Sequence, residues 1–223
     1  MKKNKKIIIS VAAGVAAIGV AACIILLFAK GNNVSEADED TYYSASVSYE
    51  TGDVFSFGKK DGNYIGWRVL SEKDDGFLLI SDKVLDYMPY NVEYLNVTWE
   101  DSSLREYLNG TFYEDNFSES EKEHIELSLI SNAGNSEYGS IVGNDTLDYF
   151  YLLSMEEAEE YFETDEDRRA VYLSDGSAAY WWLRTPGQYN TTASLVLAVG
   201  IIKESGMDVD IERGVRPVFY FKS

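Results

Sequence analysis

The chain has 223 residues, 45% of them hydrophobic and 14% aromatic, with a formal net charge of −19; that apolar content specifies a folded domain rather than a disordered one. The acidity is uneven. Residues 1–30 hold five lysines and no acid, while the remainder carries 14 basic and 38 acidic groups, a net of −24, which repels polyanions and excludes nucleic-acid binding.

A basic tail, residues 1–6, precedes Ile7–Ala29, 23 residues without a charge. As a helix this run spans about 35 Å, enough to cross a hydrocarbon core of about 30 Å. Four lysines before it and one after set its N-terminus in the cytoplasm. The expectation is one transmembrane helix and a single-pass cell-membrane protein whose C-terminal domain is extracellular, with the membrane as a partner through residues 7–29. Two alternatives stay open. A cleaved signal peptide normally has a shorter apolar region, about 7–15 residues. Val20-Ala21-Ala22-Cys23 resembles a lipobox, although Ile24–Phe28 follow where a lipoprotein turns polar. Cys23 is the only cysteine, so the folded domain has no disulfide, thiolate zinc site or cysteine nucleophile. Residues 30–52 read as a flexible acidic linker with its ends about 26 Å apart.

The domain, residues 53–223, begins weakly with Val54–Phe57. Tyr64–Leu70 and Gly76–Ser81 are strand patterns, and Lys73-Asp74-Asp75-Gly76 between them signals an antiparallel hairpin. Helical signals follow. Asp101-Ser102-Ser103 precedes Leu104 and Leu108, and Asn109-Gly110 reads as the helix end. Ser118–Glu121 is a capping box for a helix through Ile125, and Ser154–Glu157 another for a helix through Tyr161-Phe162. Asp148–Leu153 reads as a strand. In the last third, Ala179–Arg184, Ser194–Ile202 and Val215–Phe221 read as strands, with loops at 187–193 and 203–214 and the last strand returning near the first. Strands, short helices, then strands make an α+β domain.

Little chemistry is legible. His124 is the single histidine, set among charged residues on a helix face, so a histidine zinc site is excluded and a surface role expected. No P-loop or dinucleotide glycine motif occurs, which leaves nucleotides without support. Gly143–Thr146 and Asp208-Val209-Asp210 are oxygen-rich but match no EF-hand loop and read as turns. No cofactor, metal or catalytic set is assigned. Tyr180–Gly187, YWWLRTPG, has aromatic or apolar side chains on both faces of a strand, as an interior strand requires. Arg184 and Arg216, beside apolar runs in an acidic domain, are expected to bind carboxylates or carbonyls and pin the sheet ends.

The motifs Gly66–Leu70, Leu78–Ser81, Pro89-Tyr90-Asn91, Val97–Glu100, Trp182–Gly187 and Gly214–Val218 come in an order that resembles a bacterial, Firmicutes domain family of unknown function. That family ends in WWLR[ST]PG and GVRP motifs. The resemblance covers about residues 53–222. It implies a C-type-lectin-like fold, as in the formylglycine-generating enzymes: a small, twisted, mostly antiparallel sheet with short helices and long loops. It implies no reaction, because those enzymes depend on active-site cysteines that this domain lacks.

The expected function is a non-catalytic binding module for a glycan or protein ligand at the cell surface. A structural or assembly component of a surface complex is the alternative, and an enzyme the third reading. Loop residues Gln188, Tyr189 and Asn190, with Asp208, Asp210 and Arg213, are the candidate ligand contacts, since recognition residues concentrate on loops over a rigid sheet. Membrane anchoring through the apolar run predicts no palmitate label on the chain in growing cells. A label that disappears in Cys23→Ser would assign the lipoprotein route instead.

Overall fold

The structure, a computed structural model, describes residues 49–73 and 75–222. The apolar segment 7–29, Cys23 and nearly all of the acidic linker lie outside the described residues, among which no helix is long and apolar enough to cross a membrane. In chain order the strands are β1 (Val54–Lys60), β2 (Asn63–Lys73), β3 (Gly76–Ser81), β4 (Asp86–Met88), β5 (Ser128–Ile130), β6 (Thr146–Asp148), β7 (Trp181–Pro186), β8 (Thr192–Val196), β9 (Ile202–Asp208), β10 (Arg213–Val215) and β11 (Val218–Lys222). The helices are α1 (Ser103–Tyr107), α2 (Tyr113–Asn116), α3 (Glu119–Lys122), α4 (Met155–Tyr161) and α5 (Asp165–Arg168), with a π-helical turn, Leu108–Phe112, between the first two.

Two sheets carry the architecture, in the orders β1-β2-β3-β11 and β4-β10-β7-β8-β9, beside the small pair β5-β6. All pairings are antiparallel except β7 with β10. The fold is therefore α+β with mostly antiparallel sheets and short helices. The β2–β3 hairpin closes with Lys73 opposite Gly76, as its turn residues direct. The last strand, β11, lies beside β3 in the first sheet. Ahead of β1, the Tyr49 ring meets Phe55 at 4.7 Å.

Aromatic side chains fill the space between these elements. Phe150 touches Trp67, Phe112, Phe117 and Phe219 at centroid distances of 5.0–6.0 Å. Each buried ring contributes roughly 2–3 kcal/mol by area, provided its polar atoms find partners. All four indole N–H groups do: Trp67 donates to Phe57 O, Trp99 to Asp148 Oδ2, Trp181 to Arg168 O and Trp182 to Met88 O. Strand β7 sits at the centre of its sheet, and Trp181, Trp182 and Leu183 are fully buried.

Both capping boxes form, at Ser118 with Glu121 and Ser154 with Glu157. Several element boundaries differ from the sequence reading. The helix does not stop at Asn109-Gly110 but continues through the π turn into α2. Asn109 is drawn inward, where its Nδ2 donates to Arg105 O and Phe150 O while its Oδ1 accepts from Tyr149 N and Phe150 N. Those same bonds remove Tyr149 and Phe150 from any ladder, so the strand expected at 148–153 shrinks to β6 and one bridge from Tyr151 to Val218. α3 stops at Lys122, and Ile125 instead bridges to Phe221. The run Ser194–Ile202 turns over at Leu197–Ile201, through the hydrogen bond Leu197 N to Ile201 O. The expected loop 203–214 is mostly the edge strand β9 with β10. Val215–Phe221 is cut by Pro217, which has no N–H to give a ladder.

Asp148 is the most enclosed carboxylate, accepting from Trp99 Nε1, Thr146 Oγ1 and Arg105 Nε, with a fully buried side chain. Asp148→Ala strands the Trp99 indole and takes the ion-pair partner from Arg105, which keeps only carbonyl acceptors. It is expected to cost about 3 kcal/mol and lower the melting temperature by roughly 6–12 °C, read by thermal denaturation.

Candidate functional site

The β7–β8 connection is a tight turn. Gly187 N donates to Thr192 O and Thr192 N to Tyr189 O, while the Thr192 hydroxyl accepts from Tyr189 N. β9 presses against the turn from the other side, with Gln188 N donating to Ser205 O. This approach needs two glycines. A Cβ on Gly187 would sit 2.6 Å from Ser205 O; one on Gly206, whose φ is +73°, would sit 2.5 Å from Ala193 O. With its backbone bonds closed inward, the turn directs Gln188 and Tyr189 to solvent, and Tyr189 is 63% exposed.

A shallow cavity of about 320 Å³ opens there, bordered by Gln188, Tyr189, Thr192, Lys203, Ser205 and Asp208. Lys203 Nζ is held by Ser205 Oγ at 2.8 Å and Gly206 O at 2.7 Å. An amide, a phenol ring, an ammonium, a carboxylate and hydroxyl groups thus surround one concave surface. This set can stack against an apolar ring face and exchange hydrogen bonds of both senses with a polar ligand.

Three of the six expected ligand contacts, Gln188, Tyr189 and Asp208, border this cavity. Asn190 does not border the cavity; its carbonyl accepts from Val97 N and its Oδ1 from Ile141 N. Asp210 is exposed on the β9–β10 turn. Arg213 does not border the cavity; it stands 5.7 Å over the Tyr180 ring and donates to Sδ of Met207, a bordering residue, at 3.5 Å. Lys203 and Ser205 escaped the sequence reading because 203–214 looked like a loop. The alternating positions 203, 205 and 207 were the available signal.

Arg184 lies within β7, and Arg216 lies between β10 and β11. Arg184 forms a bidentate pair with Glu157 and donates to Leu152 O and Ser131 O. Arg216 donates twice to Ser81 O and stacks on Trp181 at 4.8 Å. Burial pushes its guanidinium below the ordinary range, with the Asp82 charge opposing. His124 is exposed, stacked on Phe221 at 5.1 Å. Among the described residues no group of three or more His, Cys, Asp or Glu could hold a metal ion.

Neighbouring loops brace the turn. Tyr94 OH accepts from Thr191 Oγ1, and Ser140 Oγ donates to Gly187 O. The segment after Ser140 is clamped in turn by Glu100, which accepts from the Asn144 side chain and backbone N. The Asn144 side-chain bond, then the backbone bond, holds the Glu100 carboxyl below its usual range. A folded-state value lowered in this way gives stability that is present above the unfolded carboxylate value and lost as pH falls through the folded one. Amide exchange at Asn144 is therefore expected to be slower in wild type than in Glu100→Gln at neutral pH. The difference should vanish in acid.

Searches of curated proteins and of solved structures found no match to the chain. A family model does match, over residues 74–223, from the β2–β3 turn to the end. Its range takes in the YWWLRTPG strand, the Tyr189 turn and the Arg216-Pro217 crossing, and on that match the chain belongs to the domain of unknown function family DUF6273.

Proposed function

We propose that this domain is a non-catalytic binding module for a glycan ligand at a cell surface, held there by the apolar segment 7–29 as a single-pass membrane anchor. The observation that carries the reading is the Tyr189 cavity. One exposed aromatic ring stands beside the Gln188 amide, Lys203 and Asp208 on a concave surface braced by a rigid sheet. Sugar rings present an apolar C–H face and a rim of hydroxyls, and that surface offers a partner for each. A C-type-lectin-like fold is part of the same proposal. Its support is the resemblance of the WWLR and GVRP motifs together with the mostly antiparallel sheets.

A second reading, an assembly component of a surface complex, draws on the exposed apolar side chains near the turn. Val92, Tyr94, Leu95, Ile141 and Val142 are each at least two-fifths exposed. Tyr94 and Ile141 bond directly to the 187–191 loop.

A glycan array probed with the full chain separates the two. The glycan reading expects at least one bound class, lost in Tyr189→Ala and weakened about tenfold or more in Asp208→Ala by removal of a charged hydrogen-bond partner. Both variants should melt as wild type does, since both side chains are exposed. A blank array with a fixed partner recovered by crosslinking in intact cells would favour the assembly reading.

A further inference from the structure

The Tyr189 cavity carries two opposite charges that do not meet. Lys203 and Asp208 both border it. Neither takes part in an ion pair among the described residues, where seven other basic side chains do. Charged groups left open at the wall of a cavity fix the charge and orientation of what fills it.

The shape of β9 explains how both reach one space. β9 advances four residues, from Lys203 to Met207, while β8 advances two, from Leu195 to Ala193. Gly206, at φ +73°, lies in that bulge, and a bulge re-aims the side chains around it. Lys203 bends along the strand until its Nζ reaches Ser205 Oγ at 2.8 Å and Gly206 O at 2.7 Å. The ammonium is thereby brought to within two residues of Asp208, which is exposed. Both of its acceptors are neutral, so one N–H and the whole charge are left for a ligand.

These charges restrict the ligand. A sugar bearing only a carboxylate meets Asp208 and the field of a domain with a net charge of −24. A sugar bearing only an amine meets the Lys203 ammonium. One with both groups gives each wall charge its opposite. We propose, on the glycan reading of this cavity, that it selects a zwitterionic sugar. The ring face lies on Tyr189, the sugar ammonium on Asp208 and the sugar carboxylate on Lys203 Nζ.

Titration calorimetry tests it, using the full chain in octaethylene glycol monododecyl ether, a detergent with neither sugar nor charge. The probes, in mildly acidic buffer, are muramic acid, with both groups, N-acetylmuramic acid, with the carboxylate alone, glucosamine, with the amine alone, and N-acetylglucosamine, with neither. Muramic acid is expected to bind about fivefold tighter than either singly charged sugar. Asp208→Asn should erase the advantage of the free amine and keep that of the carboxylate. Lys203→Met should do the converse, a crossover that misfolding cannot produce. A singly charged or neutral sugar that binds as tightly as muramic acid would overturn the proposal and leave the glycan reading standing, as would a variant that loses both preferences or neither. No heat from any of the four at millimolar concentration would also overturn it, whereas the glycan reading falls only with a blank array.

Discussion

The structure turns on the passage from one sheet to the other at Val215–Val218. Leu85 N donates to Val215 O, in the second sheet, and Ser81 N donates to Pro217 O, in the first. Between them Arg216 carries a full charge into the interior, 2% exposed. Enclosing a cation in so apolar a place is costly without compensation. It comes from Ser81 O and from the faces of Trp181 and Phe162, which attract a guanidinium. One side chain therefore ties β3, β7 and the end of α4. Pro217 fixes the geometry by restricting Arg216 to extended backbone.

Arg184 performs a related task at the far end of β7. It is clamped by Glu157, the same residue whose carboxylate closes the capping box of α4. The helix start and the strand end are thus set by one carboxylate. A second carbonyl bond, from Tyr90 OH to Arg184 O, fixes the strand from its other side. The two motifs that carried the family resemblance, WWLRTPG and GVRP, contain these two arginines.

What the sequence made legible was local or periodic. The hairpin turn, the capping boxes and the doubly apolar β7 are each specified within a dozen residues. What it hid depended on distant partners. Asn109-Gly110 has the composition of a helix end, and only Tyr149 and Phe150, forty residues on, make it the middle of a longer one. β9 has little apolar content and a glycine at positive φ, so it reads as a loop until β8 pairs with it. For the Tyr189 site the turn itself was visible and its far wall was not, because Lys203 and Ser205 sit on that concealed strand. Asn190 has a bracing contact that the sequence could not show, because its partner Ile141 lies 49 residues away.

The first and last described stretches of the chain meet. Tyr49 rests on Phe55, and Phe55 in turn meets Phe221 at 5.6 Å. Two stretches this close can be spliced by a short connector without disturbing either sheet. The exposed tip at Asp61-Gly62, where both φ angles are positive, offers a place to reopen the backbone. Residues 49–222 are thus suited to circular permutation.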